Sequence, residues 1–270
     1  MHQPEPIALL SAKLQAAGFV HGFFTRNGGS SLGPYSSLNC SLSVGDDPNR
    51  VELNLQRIAN TLGVEQSNLV TVSQVHGATV EHFSESSSVG EFANRLADAI
   101  TSPASDFALA IRTADCVPIL VGCATTGAVA AIHAGWRGLV EEVIPRTIAS
   151  LVEQGSKPGS LIACVGPHIG LNAFEVSEDV ALALQGKAPA MSIVRRLSGR
   201  KPHVDLGLLA ASQLKLSGLR EDSIETLLDC TYTNAQGFFS YRRDGKTSGR
   251  QLSAIRPMPR ALIATSRTIK

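Results

Sequence analysis

The sequence predicts a single α/β domain of mixed α+β type, spanning residues 1–270, with strands and helices interleaved but without the strict βαβ alternation of a dinucleotide-binding fold. Three observations predict it. Short runs of β-rich or small apolar residues recur along the chain, separated by segments with helical spacing. No internal repeat and no break in composition divides the 270 residues, a length that buries a sizeable core. Finally, Ala114–Gly138, ADCVPILVGCATTGAVAAIHAGWRG, sets two buried strands, Val117–Val121 and Gly127–Ile132, around a tight Ala-Thr-Thr-Gly connection.

The other elements follow in order. Phe19–Arg26 reads as a strand leading into Asn27–Pro34, a loop whose three glycines let backbone amides approach a ligand closely. No Gly-Lys-Ser/Thr follows, so it is not a Walker loop, and a plain connection is the simpler reading. Asp46-Asp47-Pro48 opens a helix with Asp47 as cap and Pro48 in its first position. Val51, Leu55, Ile58 and Leu62 form its apolar face, and Gly63 stops it. Leu69–Val75 reads as a strand ending at His76, with Thr79–Phe83 as its hairpin partner. Ser84–Glu91 is a polar surface loop, Ala97–Thr101 a short element before Pro103, and Phe107–Arg112 a further strand. Beyond the central hairpin, Gly138–Gly155 has helical spacing, and Pro145 predicts a kink or a start near residue 144. Leu161–Val165 is a strand, Ser177–Leu184 and Leu206–Leu216 are helical, and Gln185–His203 is a basic excursion within the domain. Leu227–Tyr232 reads as a strand, and Gly237–Gly245 ends in a turn.

Lys and Arg total 24 against 23 Asp and Glu, so no basic field exists for a nucleic-acid backbone or a membrane surface. The longest uncharged, largely apolar stretch, Cys116–Ile132, has 17 residues and is broken by Pro118, Gly122 and Gly127, which argues against a membrane helix. Met1–Leu14 lacks the charged start and long apolar core of a signal peptide. The five cysteines are odd in number and scattered, which suits a reducing compartment rather than a disulfide framework. A soluble cytoplasmic protein, monomeric or weakly homo-oligomeric, is the expectation.

The chemistry-bearing residues stand at strand ends. His76, Cys116 and His133 could converge on one metal ion, since imidazole and thiolate suit a borderline-soft ion such as zinc. Three protein ligands leave a fourth position for water or substrate, and a water there loses a proton near neutral pH. Spacings of 40 and 17 positions are not diagnostic, and a Cys before Val-Pro-Ile-Leu is equally a small core residue. What favours a site is the glycine around each imidazole, in His76-Gly77 and His133-Ala134-Gly135-Trp136-Arg137-Gly138. Arg137, Arg242 and Arg243 are candidate anion contacts, with a surface ion pair to Asp244 as the plainer reading for Arg243. Trp136 is a core filler before it is a base-stacking platform, and Asp115, facing away from Cys116, is structural before it is catalytic.

The runs HGFFTRNGGSSLGPYSSLN, VGDDP, QVHG, ADAIT, RTADCVPIL, AAIHAGWRG, VGPHIG with FEV, and FFSYRRDG with GR closely resemble the YfiH family. Its members are also called laccase-domain proteins, polyphenol oxidases or peptidoglycan editing factors, and the match runs from about Gly18 to Ile255. The resemblance implies a single-domain layered sandwich of mixed sheets flanked by helices, with one metal site of His76, Cys116 and His133. It also implies a zinc-dependent purine nucleoside phosphorylase, with copper as the alternative metal. Phosphate would cleave adenosine, inosine or methylthioadenosine to base and sugar 1-phosphate, and adenosine could also be deaminated. Arg26, Asn39, Arg137 and Arg242 lie in matching motifs and are assigned to phosphate or ribose. Two departures stand out: His168 replaces the Cys that many relatives carry after Gly-Pro, and the turn DGKTSGR is slightly long, which bears on the place of Arg250. Three rival readings are a Cys116 nucleophile acting on an amide in cell-wall precursor editing, a copper-dependent phenol oxidase, and a non-catalytic purine-binding module.

Overall fold

The computed structural model describes residues 5–103 and 106–257. The strands are β1 Ala8–Leu9, β2 Val20–Phe24, β3 Leu69–Val70, β4 Val80–His82, β5 Ala99–Ser102, β6 Ala108–Thr113 and β7 Val117–Cys123. They continue as β8 Val129–Ala134, β9 Leu161–Val165, β10 Val194–Arg195, β11 His203–Val204, β12 Ile224–Thr226 and β13 Gln251–Arg256. The helices are α1 Ala12–Ala16, α2 Pro48–Leu62, α3 Val89–Phe92, α4 Trp136–Val140, α5 Val143–Glu153, α6 Glu178–Gln185, α7 Leu206–Leu216 and α8 Tyr241–Asp244.

Two mixed sheets dominate, one in the order β1-β2-β13-β6-β3 and one in the order β12-β9-β7-β8-β5-β4, with β10-β11 a separate hairpin. Period-two alternation sorts their side chains into layers. Leu109, Ile111 and Ile255 of the first sheet meet Leu120, Val129 and Ala131 of the second in a core that includes Phe19 and Phe23. Ala108, Ala110, Leu252 and Ala254 face the opposite way, onto Val51, Leu55, Ile58 and Leu62 of α2. Ile119, Val121, Ala130 and Ile132 face Ile144, Ile148 and Leu151 of α5 and Leu209 and Leu214 of α7. The result is a four-layer helix–sheet–sheet–helix sandwich. Each Leu, Ile or Phe buried in it contributes about 1.5–3 kcal/mol.

The central hairpin forms as expected, with Val117 opposite Ala134 and Gly122 opposite Val129. α2 has its Asp47 cap on the Asn49 amide, Pro48 first, and Gly63 at φ 69° as its stop. Pro145 falls in the first turn of α5, where its missing amide has no intrahelical partner to lose. All five cysteines are free.

Several sequence-based expectations change. The strand at Leu69 ends at Val70, because the side chain of Gln74 replaces the ladder: Arg112 donates its amide to Gln74 Oε1 at 2.8 Å, and Gln74 Nε2 donates to the Arg112 carbonyl at 2.7 Å. Thr79–Phe83 is not its hairpin partner, since β4 joins the other sheet, parallel to β5. Leu227–Tyr232 is not a strand: pairing with β9 occurs upstream at Ile224–Thr226, and Leu228 stands 90% exposed. Two of the glycines of Asn27–Pro34 serve packing, because a Cβ at Gly28 would lie 2.2 Å from the Glu5 carbonyl oxygen and one at Gly29 2.1 Å from that of Ser37. The loop after Phe83 contains α3, capped by Ser88, and the basic excursion contains the β10-β11 hairpin. Tyr241–Asp244 of the arginine turn is helical. The reading also passed over β13, the central strand of the first sheet.

Candidate metal centre

Two chain crossings and one strand end build the site. The chain leaves the first sheet at β3, passes through His76 and enters the second at β4; it crosses again between β6 and β7, at Cys116. His133 stands on β8, opposite Pro118. Both crossings turn on left-handed residues, His76 at φ 61° and Asp115 at φ 96°, conformations that cost a non-glycine residue about 1–3 kcal/mol.

Asp98 holds this strained backbone. Its carboxylate is fully buried and accepts hydrogen bonds from the amides of His76 at 2.9 Å, Gly77 at 2.7 Å and Val75 at 3.3 Å. It also accepts from His133 Nδ1 at 2.7 Å, which leaves Nε2 as the ring nitrogen available to a metal. The His133 amide donates to the Asp98 carbonyl at 2.7 Å. Asp115 ties the second crossing: Thr231 Oγ1 donates to Oδ1 and the Arg242 amide to Oδ2, both at 2.6 Å.

The donor atoms of His76, Cys116 and His133 lie within 4.8 Å of one another. Their burial is graded, with His76 exposed, Cys116 half-buried and His133 buried. A Cβ at Gly135 would come within 3.1 Å of the His76 ring and 3.2 Å of Cys116 Sγ, so the glycine keeps that side open. Gly138 lets α4 close on the first crossing, since a Cβ there would lie 2.8 Å from the Gly77 carbonyl oxygen.

The electrostatics favour a thiolate. Burial resists ionisation of Cys116, yet the His133 and His76 imidazoles bring its pKa down to about 6. Desolvation likewise opposes charge on His133, and Cys116 with Asp98 lifts it to about 9. Burial also opposes the Asp98 carboxylate, but His133 and the two loop amides hold it below its ordinary value. Two nitrogens and one sulfur, with the buried imidazole oriented by a carboxylate, form a donor set that fits zinc or copper.

The assigned substrate contacts differ in their surroundings. Arg137 is exposed on α4, its guanidinium 5.2 Å from the Trp136 ring, with no hydrogen-bond acceptor among the described residues. Arg242 is exposed, donates to the Ala173 carbonyl at 3.2 Å and lies over Phe174. Arg26 donates to the carbonyls of Ser36, Ala235 and Pro34, and sits 4.4 Å from the Phe239 ring. Asn39 is buried: Nδ2 donates to the Ser41 carbonyl and Asp46, and Oδ1 accepts from the Ser41 and Arg250 amides. Those bonds tie Arg26 and Asn39 to the loops around them. Arg243 is saturated by Asp244 and the carbonyls of Thr231, Tyr232 and Phe238, which is more than a surface ion pair. Trp136 packs against the helix-side core. His168 lies outside the triad, buried, its Nδ1 donating to the Gly166 carbonyl and its pKa lowered by burial.

Asp98 was missed in the sequence. The available signal was a lone carboxylate between alanines in an apolar run, because a buried charge must have partners.

The family described as multi-copper polyphenol oxidoreductase laccase matches residues 20–257. The chain is 40% identical over 239 residues to a Shigella flexneri protein named purine nucleoside phosphorylase YfiH, covering 86% of this chain and 90% of that one. It is 36% identical over 244 residues to a purine nucleoside phosphorylase of Bacteroides thetaiotaomicron, covering 87% and 90%. The crystal structure of YlmD from Geobacillus stearothermophilus superposes with a TM-score of 0.87 at 30% identity, covering 96% of this chain and 98% of that one.

Proposed function

The chain belongs to the multi-copper polyphenol oxidoreductase laccase family, and from that premise we propose that it is a metal-dependent purine nucleoside phosphorylase. The substrates would be adenosine, inosine or methylthioadenosine with inorganic phosphate, and adenosine deamination would be a side activity at the same site. The carrying observation is the His76–Cys116–His133 cluster, held by Asp98, in a chain 40% identical to a protein of that name.

His76, Cys116 and His133 would hold zinc, with copper as the alternative, and the ion when bound supplies Lewis-acid polarisation. The chain's own residues do the rest. Asp98 fixes the His133 ring and the backbone of His76, so the donors are placed before substrate arrives. Gly135 leaves room beside His76 and Cys116 for a ligand. Arg137 and Arg242 offer exposed guanidinium donors to phosphate or ribose, while Arg26 and Asn39 position the loops that frame them. As phosphate oxygen bonds to the sugar C1′, the N-glycosidic bond breaks, and its electron pair leaves with the purine, which takes up a proton from solvent.

One observation favours a second reading. Cys116, His133 and Asp98 stand in series, with a thiol at about 6 beside an imidazole that a carboxylate orients. That arrangement suits a nucleophilic thiol acting on an amide.

Adenosine and inosine should be incubated with zinc-loaded protein, with and without phosphate, and the products resolved chromatographically. Phosphate-dependent adenine and hypoxanthine are the expected products. No product under either condition, together with covalent trapping of Cys116 by an electrophile in chelated protein, would transfer the assignment to the thiol reading.

A further inference from the structure

Two arginines, Arg112 four positions before Cys116 and Arg250 within reach of its charge, are half-buried and have no carboxylate hydrogen-bond partner among the described residues. Leu252 pairs with Arg112 and Gln251 with Thr113, so Arg112 and Arg250, the residue preceding β13, fall on one face at one end of the first sheet. The two-residue segment Asn39-Cys40 is tied to both. Arg112 Nε donates to the Cys40 carbonyl at 2.6 Å; the Arg250 amide donates to Asn39 Oδ1 and the Cys40 amide to the Arg250 carbonyl, each at 2.9 Å.

Most of their donors are idle. Among the described residues, Nη1 and Nη2 of Arg112 have no acceptor, and Arg250 uses only Nη1, on the carbonyls of Ser248 and Gly249. The Arg250 guanidinium rests 5.6 Å from the Tyr241 ring. Asp115, the carboxylate whose charge acts on Arg250, already accepts from Thr231 and the Arg242 amide. Burial pushes both guanidinium pKa values down; Cys40 partly offsets this for Arg112, and Cys116, Tyr241 and Asp115 do so for Arg250. A desolvated, unpaired cation is destabilising unless an anion completes it, and the planar fork of arginine suits a tetrahedral oxyanion.

We propose that Arg112 and Arg250 together hold inorganic phosphate beside Cys116, with the Cys40 carbonyl setting the Arg112 guanidinium and Asn39-Cys40 fixing the backbone at Arg250. The role of that phosphate as co-substrate rests on the phosphorylase reading; the binding site itself does not. Arg137 and Arg242, being exposed, are then contacts that substrate meets first.

The test is calorimetric titration of inorganic phosphate into zinc-loaded and chelated protein, for wild type, R112Q, R250Q, R112K, R250K and the distant surface control R95Q. Each Gln variant should weaken phosphate at least tenfold with zinc content and circular dichroism unchanged. The Lys variants should recover part of the affinity, and R95Q should bind as wild type does. Unaltered affinity in either Gln variant overturns the two-armed site, and the Lys variants decide the matter if a Gln variant does not fold. Adenosine 5′-monophosphate binding through these arginines more tightly than inorganic phosphate would also overturn the assignment. Phosphate bound through both arginines without nucleoside cleavage would leave the site standing and remove the phosphorylase reading. Phosphorolysis with an unchanged KM for phosphate in R112Q and R250Q would do the reverse.

Discussion

At the scale of the residue, Asp98 is the point on which the centre turns. One carboxylate orients the His133 ring and stops the amides of the strained His76–Gly77 turn. Asp98→Asn keeps the shape but loses the charge, and partners of this kind are worth about 10–100-fold in metal affinity. Competition for zinc against a chromophoric chelator should show that loss, and wild-type affinity would mean that the carboxylate does not support the centre. Gly135→Ala separates space from charge. Its φ of −73° admits alanine, yet the new methyl would press on His76 and Cys116, so the variant should fold normally and bind less metal. Circular dichroism with metal analysis checks both halves. The triad was legible because glycines surround its imidazoles and because the motifs resemble a known family. Asp98 was not, since nothing in the string ADAIT says that its carboxylate faces residues 21 to 35 positions away.

At the scale of the element, α2 was legible in full: an Asp cap, a first-turn proline, one apolar face and a glycine stop are all local signals. β13 was not, because its place between β2 and β6 is a fact of long-range pairing. The start of α1 shows how such pairing is secured. Ser11 caps the helix through the Leu14 amide, its own amide donates to His21 Nε2 on β2, and its hydroxyl donates to Glu225 on β12. This cluster carries a pH signature. Burial holds the His21 pKa below 6.5, so its contribution is complete above that value and is lost as pH falls and the unfolded chain takes up the proton. Glu225 is desolvated, but the Ser11 hydroxyl and the Lys13 and Ala12 amides hold it below 4.5, so its contribution persists to lower pH and is then lost. Denaturant midpoints should therefore fall between pH 7.5 and 5.5, and less steeply in His21→Gln. An equal fall in the variant would clear His21 of any part in it.

At the scale of the whole molecule, three hydrophobic layers hold the sandwich without help from the centre, unlike a zinc finger, whose fold depends on its ion. Removing metal with a chelator should leave the far-ultraviolet circular dichroism unchanged, while adding zinc back should raise the melting temperature by mass action. Loss of secondary structure on chelation would contradict this. No helix among the described residues is long and apolar enough to cross a membrane, in keeping with the broken apolar run of the central hairpin. Two of the three donors lie where the backbone passes from one sheet to the other, and the third belongs to the second sheet alone. An ion among them would therefore act as a clasp between two plates, resisting shear of one against the other. Hydrogen exchange would register that clasp as slower opening at residues 75–77 and 114–117, and unfastening it would free the plates at that edge first.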